Sequence, residues 1–304
     1  MAHRMKHRVE YAALRLLAGV IRRLPYRVAL GLGWGVAVLL HYGVGFRRAE
    51  ARRRIRQVFG PALPARRVRR IAWRSWRNLC FNAVEIVRVP RMDRDWIARH
   101  HDEEGIRRLA ASIPAGEGAV LAVPHAGNWD VAGVALHLFG LPMFFLARRQ
   151  RNPLADAYLN RMRGATGVTT VQSDARNLRA AARRLKAGMY LAILPDVRAR
   201  TPGLRIPFLG GEANLAPGMA LFARLAGVAI YPVFLRRAGW TPARMRLFDP
   251  VRPDPSLSRD ADLERMTRTV VAHFDEAIRA DPEQYFWYNK RWVLDPLEED
   301  APVS

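Results

Sequence analysis

One segment, residues 118–141, constrains the fold of this chain more than any other. Residues 118–124 (Gly-Ala-Val-Leu-Ala-Val-Pro) form an apolar run that predicts a buried strand. Residues 126–128 (Ala-Gly-Asn) predict a turn, and residues 131–141 carry apolar side chains at three- and four-residue spacing, which predicts a helix. A strand that passes through a short turn into a helix is a building unit of α/β folds.

A histidine and an aspartate flank this turn. His125 follows the predicted strand, and Asp130 falls in the first turn of the predicted helix. Open α/β sheets bind ligands at the carboxyl ends of their strands. A histidine can remove a proton from a hydroxyl near neutral pH, and a carboxylate on its second ring nitrogen fixes its tautomer. The spacing alone leaves two alternatives: a catalytic pair, or a loop histidine beside a helix capped by Asp130 or Asn128.

The alternation of strands and helices continues along the chain. Further strands are predicted at residues 142–147, 168–172, 189–195, 228–235 and 244–249. Helices are predicted between and after them, at residues 153–164, 175–187, 216–226 and 260–280. This order predicts an α/β fold with a mostly parallel central sheet flanked by helices.

Composition divides the chain into three regions. Residues 1–112 predict a basic, membrane-associated helical region, and residues 113–294 predict the α/β core. Residues 295–304 are acidic and contain proline, which predicts a flexible tail.

Two segments of the first region favour contact with a membrane. Residues 28–46 are apolar over about the length that spans a bilayer, but they contain His41 and have arginines at both ends. We favour a membrane-embedded or surface-lying helical hairpin over residues 9–46, with a buried core helix as the alternative. Residues 65–88 interleave Trp73 and Trp76 with arginines, which fits an interfacial helix or an ordinary scaffold helix.

The charge of the chain predicts an anionic partner. The formal net charge is +23, and only three of the 50 basic residues are lysines. Arginine binds phosphate and carboxylate groups through paired hydrogen bonds. An anionic membrane surface and a nucleic acid both fit this charge. We find no module in which basic residues alternate with exposed aromatics, so we expect no nucleic-acid partner.

Several motifs in order resemble one family. The segment from His125 to Asp130 resembles the His-x4-Asp signature of the bacterial lysophospholipid acyltransferase superfamily. The Gly-Asn-Trp within it resembles the branch of lipid A biosynthesis (lauroyl or myristoyl) acyltransferases and of phosphatidylinositol mannoside acyltransferases. Further matching motifs are Arg161–Gly167, Ile193–Asp196, Ile206–Gly210, Tyr231–Arg236 and Pro282–Trp292. The chain departs from that branch at Val197, where a polar residue is common, and at Asn289, where the closing motif has histidine.

The resemblance implies a reaction and a set of site residues. It implies that His125 is the general base on an acceptor hydroxyl, that Asp130 orients it, and that the hydroxyl attacks an acyl thioester of acyl carrier protein or coenzyme A. No metal and no bound cofactor are implied. The residues expected to bind substrate are Gly127, Asn128, Arg149, Arg163, Asp196 and Arg198.

The expected acceptor is an anionic lipid. A lipid A precursor or related glycolipid fits best, and a phosphoinositide mannoside or an aminolipid is the alternative. The resemblance also implies a location on the cytoplasmic face of the bacterial inner membrane. From another class of protein, the competing hypothesis is a non-catalytic protein that binds anionic membranes or nucleic acid. The oligomeric state is left open.

Overall fold

A computed structural model describes residues 2–147, 152–172 and 178–296. Its centre is a six-stranded sheet in the order β3-β2-β4-β1-β7-β8. The strands are β1 (Ala119–Ala122), β2 (Met143–Ala147), β3 (Thr169–Gln172), β4 (Tyr190–Ile193), β7 (Ile230–Arg237) and β8 (Ala243–Leu247). The first five are parallel and β8 is antiparallel to β7, so the predicted fold class is confirmed.

The sheet order places the ends of β1 and β4 side by side. The two strands pair in parallel with Leu121 opposite Ala192. All four residues of β1 are buried, because helices cover both faces of the sheet. Loops that leave β1 and β4 therefore emerge next to each other at the carboxyl edge.

A small antiparallel hairpin was not predicted. It consists of β5 (Leu204–Phe208) and β6 (Gly211–Leu215), and Leu209 at its tip has a φ of 51°. The backbone of Ala199, after β4, donates to Asn214 of this hairpin. The hairpin thus covers the segment that follows β4.

The N-terminal third is helical, as predicted. It contains α1 (Ala2–Arg23), α2 (Tyr26–Val38) with a π-helical extension Leu39–Val44, α3 (Arg48–Phe59), α4 (Ala65–Arg88), α5 (Arg94–His100) and α6 (Glu103–Ser112). Helices α1 and α2 each pack against α4. One hydrophobic cluster includes Ile55 of α3, Ile71 of α4 and Leu191 of β4, so α3 and α4 share a core with the sheet.

The remaining helices surround the sheet. They are α7 (Trp129–Leu138), α8 (Pro153–Gly164), α9 (Leu178–Lys186), α10 (Gly218–Ala226) and α11 (Arg259–Ala280). Helix α7 begins two residues before its predicted start, because Asn128 accepts a hydrogen bond from Val131 N and caps it.

Helix α4 is a scaffold helix. Its residues Trp76, Phe81 and Val84 are buried, and Trp73 contacts the rings of Trp34 and Tyr42 from the α2 segment. The interfacial interpretation of residues 65–88 is therefore replaced by its alternative. Trp76 is buried and Trp73 partly buried, whereas Arg66, Arg69, Arg70 and Arg74 are exposed.

The exposed apolar side chains are concentrated at the N-terminus. Twelve of the fifteen large ones among the described residues lie within residues 5–46. Leu16 of α1 is 73% exposed, and Leu39 and Val44 of the π-helical extension are 63% and 67% exposed. Residues 26–44 form one helix whose length and hydropathy would allow it to cross a membrane.

Candidate active site

His125 lies in a loop between β1 and α7, which we call the His125 loop (residues 123–128). Its Nδ1 is 2.8 Å from Oδ1 of Asp196, and its backbone N donates to Oδ2 of the same carboxylate at 2.8 Å. Its carbonyl accepts from Phe286 N at 2.8 Å. The backbone and the ring of His125 are therefore both fixed.

Asp196 reaches His125 because β4 is the neighbour of β1 in the sheet. Its side chain is 0% exposed, whereas that of His125 is 20% exposed. A buried carboxylate needs hydrogen-bond donors, and Asp196 has two from His125. Since Nδ1 donates to Asp196, Nε2 of His125 is the ring nitrogen that keeps a lone pair.

The buried phenol of Tyr285 lies beside Asp196. Burial and the nearby charge of Asp196 raise the pKa of Tyr285 well above its usual range, so the phenol stays protonated. Ser75 of α4 in turn donates to the Tyr285 carbonyl, which fixes this residue from the other side.

The carboxylate that orients His125 differs from the one predicted. The sequence assigned this role to Asp130, but the hydrogen bond at Nδ1 is made by Asp196. Asp130 lies half-buried in the first turn of α7. The physical reason is that adjacent parallel strands bring Asp196 to the ring from 71 positions away, a contact that local spacing cannot show. A catalytic role of Asp130 stays a prediction.

Three other residues that were predicted to bind substrate make contacts within the protein instead. The Asp196 carboxylate is fully buried beneath His125 and so cannot hold an acceptor hydroxyl. Asn128 uses its amide to cap α7 and to donate to Glu85 at 2.6 Å. Gly127 has a φ of 61°, and a Cβ on it would lie 2.7 Å from Leu235. This glycine is therefore required by the close approach of β7.

An open cleft of about 640 Å³ borders His125. Its apolar lining comes from the ends of β2 and β4 and from the start and body of α10; it includes Leu146, Ile193, Leu194, Val197, Ala216 and Phe222. Its polar lining includes Arg198, Arg200, Asn289 and Arg291. The cleft therefore offers apolar contacts that suit a hydrocarbon chain and guanidinium groups that suit an anion.

Only one of the three arginines predicted to bind substrate has a side chain within the described part of the structure. Arg198 borders the cleft, where it also donates to the Pro296 carbonyl. Arg163 lies at the end of α8, and its side chain is outside the described part of the structure. Arg149 lies in residues 148–151, which are also outside the described residues.

Sequence reasoning missed several residues that hold the site together. Glu85, Asn82 and Arg237 all lie within two hydrogen bonds of the His125 loop, and Tyr285 forms a β-bridge with Ala126 of this loop. A polar residue on an apolar helix face was the available signal, because α4 buries Asn82 and Glu85 on the side that packs into the protein.

Arg54 is a further residue that was missed. It is 1% exposed and donates to the carbonyls of Trp287 and Asn289, with its guanidinium 5.2 Å from the Trp292 ring. It therefore fixes the closing segment that brings Asn289 and Arg291 to the cleft.

The fold and the site together define an α/β protein in which a buried carboxylate holds a histidine beside an open cleft. Comparisons with known proteins identify the family. The family model described as bacterial lipid A biosynthesis acyltransferase matches residues 3–293. The chain belongs to this family and is an acyltransferase, which confirms the resemblance found in the sequence.

Individual relatives are distant in sequence but match over long stretches. A phosphatidylinositol mannoside acyltransferase of Mycolicibacterium smegmatis is 26% identical over 74% of this chain and 71% of its own length. A lipid A biosynthesis palmitoleoyltransferase of Escherichia coli is 24% identical over 92% of this chain and 89% of its own length. A lipid A biosynthesis acyltransferase of Haemophilus influenzae is 25% identical over 60% of this chain and 56% of its own length.

Proposed function

We propose that this acyltransferase moves a fatty acyl chain from an acyl thioester to a hydroxyl of a glycolipid, with His125 as the general base. The observation that carries the proposal is the contact between His125 Nδ1 and the buried Asp196 carboxylate at 2.8 Å. It leaves Nε2 to accept a proton beside an open cleft. Family membership supports acyl transfer and a glycolipid acceptor.

The proposed reaction needs only the acceptor hydroxyl and the acyl thioester as reactants. Nε2 of His125 takes the proton of the acceptor hydroxyl while the hydroxyl oxygen attacks the thioester carbonyl carbon. The tetrahedral intermediate then collapses and the carbon–sulfur bond breaks. The leaving thiolate takes the proton from the imidazolium. Between these two proton transfers His125 is an imidazolium. The Asp196 carboxylate stabilises it, because Oδ1 lies 2.8 Å from Nδ1.

The cleft supports an acyl donor with an anionic group. The apolar lining formed by residues such as Ile193 and Phe222 would remove the acyl chain from water. Arg198, Arg200 and Arg291 in the lining of the cleft would face the phosphate of a phosphopantetheine arm or of a lipid headgroup. Acyl carrier protein and coenzyme A share this phosphopantetheine chemistry, so both stay candidate donors.

We further propose that the N-terminal helices bind the cytoplasmic face of the bacterial inner membrane. The exposed apolar side chains within residues 5–46 form a surface that water does not favour. Arginines 47, 48 and 52 follow this segment directly and would attract anionic headgroups. A membrane surface would bring a lipid acceptor to the site.

Transfer of a labelled acyl group tests the reaction. Purified protein in mixed vesicles receives radiolabelled acyl-acyl carrier protein or acyl-coenzyme A, with a lipid A precursor, a phosphatidylinositol mannoside or an aminolipid as acceptor. We expect acylation of one of these acceptors and no transfer by His125→Ala. Equal transfer by the variant and the parent protein would refute the role of His125.

The identity of the acceptor follows from a genetic experiment. Lipids of the native host with and without this gene are compared by mass spectrometry. The lipid that lacks one acyl group in the deletion strain is the acceptor. An unchanged lipid profile would contradict a role in lipid acylation in that host.

A further inference from the structure

A buried polar network lies directly beneath the His125 loop. Its centre is the carboxylate of Glu85, which is on α4 and nearly inaccessible to solvent. Glu85 accepts two hydrogen bonds from Arg237 of β7, at 2.7 and 2.6 Å. It also accepts one from Tyr26, at the start of α2, at 2.5 Å.

The network holds the loop at two points. Asn128 donates to Glu85 at 2.6 Å, and Asn82 donates to the Gly127 carbonyl at 2.5 Å. Arg237 Nη2 donates to Asn82 Oδ1 at 3.0 Å, so the same guanidinium orients both Asn82 and Glu85. The two residues that follow Ala126 in the His125 loop are thereby tied to α4.

A second route reaches the same loop through Gln284. Its side chain bonds both the N–H and the carbonyl of Arg237, and its own carbonyl accepts from Gly127 N at 3.3 Å. The cavity among Glu85, His101, Asn128 and Arg237 has a volume of about 20 Å³, which is about the room for one water. The loop therefore has little space in which to shift.

Burying this pair of charges is costly. Desolvation opposes the charged form, but the charge and hydrogen bonds of Arg237 hold the pKa of Glu85 below its usual range, so the carboxylate is ionised. Well-packed apolar residues often stabilise a core as well as a buried ion pair does, or better. A role in holding neighbouring groups in place explains why Glu85 and Arg237 are charged, because hydrogen bonds between charged groups are strong and directional.

We infer that Glu85 is a positioning residue for the acyl-transfer reaction. Through Asn128, it holds the His125 loop so that the ring of His125 meets Asp196 on one side and the substrate cleft on the other. Glu85 touches no substrate in this arrangement, because its side chain is 3% exposed. The inference rests on the proposed role of His125.

The kinetic test uses Glu85→Gln, Asn128→Ser and the double variant. Serine retains the helix cap but loses the amide that reaches Glu85. Displacing a catalytic group by about 1 Å can cost on the order of 100-fold. We expect each single variant to lower kcat by roughly 10- to 100-fold with KM nearly unchanged. The double variant should be no slower than the slower single one, because both break the same link.

A matched control separates positioning from general destabilisation. Asp262 of α11 is also fully buried and pairs with Arg224 and Arg265, away from the His125 loop. Asp262→Asn should lower the melting temperature and leave kcat unchanged. Additive losses in the Glu85/Asn128 double variant, or an equal loss of kcat in Asp262→Asn, would overturn the inference.

A second measurement does not depend on acyl transfer. Diethylpyrocarbonate modifies histidine, and the rate at His125 is followed by peptide mass spectrometry. We expect several-fold faster modification of His125 in Glu85→Gln and Asn128→Ser than in the parent protein and Asp262→Asn. Unchanged modification would contradict positioning by Glu85 even if the donor or acceptor assigned above is wrong. If the two variants are modified faster but the parent protein shows no acyl transfer, the positioning of His125 is supported and the proposed reaction is wrong.

Discussion

The His125 loop and the first two helices of this protein are built in opposite ways. The loop is fixed by directional polar contacts from three other parts of the chain: Asp196 after β4, Glu85 on α4 and Phe286 near the C-terminus. Helices α1 and α2 present apolar side chains to the outside instead. The difference fits the two functions proposed for these regions: proton transfer by His125 would need exact geometry, whereas adhesion to a lipid surface would need only apolar area and charge.

The largest effect should come from His125 itself. His125→Ala removes the proposed general base, and we expect kcat to fall by about 10²- to 10⁴-fold, measured by labelled acyl transfer. The melting temperature should fall only modestly, because Asp196 loses the donor on the ring but keeps the hydrogen bond from the backbone N of residue 125. His273→Ala is the control, since this histidine stacks on Phe248 in another part of the molecule. A comparable loss in that control would show that the assay reports folding.

Asp196→Asn should have the next largest effect. Each oxygen of the Asp196 carboxylate accepts one hydrogen bond from His125, whereas only one of the two terminal atoms of an asparagine amide can accept. The ring would then take the other tautomer, with loss of kcat on the order of 10²- to 10³-fold. Asp130→Asn, assayed beside it, tests the remaining prediction for that residue. Full activity of Asp196→Asn would contradict its assignment as the orienting carboxylate.

Gly127→Ala should reduce stability. Its Cβ would lie 2.7 Å from Leu235 Cβ and from the Leu235 carbonyl, and its φ is positive. We expect a loss of about 1–3 kcal/mol in the free energy of unfolding, measured by urea denaturation. Gly140→Ala is matched, because Gly140 also has a positive φ but open space around it. Equal losses in the two variants would mean that the contact with Leu235 is not the cause.

Binding to vesicles should respond most weakly to single substitutions. Leu16→Ser and Leu17→Ser each remove an exposed apolar side chain from α1, and we expect roughly tenfold weaker binding to anionic vesicles per leucine. Vesicle sedimentation measures this. Leu225→Ser on α10 is the control, because Leu225 is exposed outside the N-terminal helices. Undiminished binding of both α1 variants would argue against membrane contact through this surface.

Parts of the fold also differ in how well the sequence predicted them. The alternation of apolar runs predicted all six strands of the central sheet, because buried strands and helices leave a local pattern. The β5–β6 hairpin was missed, since its strands are only partly buried and contain charged residues and a proline. The interfacial interpretation of α4 failed because an amphipathic pattern does not reveal what covers its apolar side.

Sequence by itself determined the fold class, the family and the position of His125 at the carboxyl end of a strand. These depend on local periodicity and on motifs in order, which the chain carries without reference to its partners in space. The tertiary structure decided which carboxylate orients His125, because only the order of strands places Asp196 beside the ring. It also decided that Glu85 and Arg237 lie beneath the loop, since a pairing across 152 positions leaves no local signal.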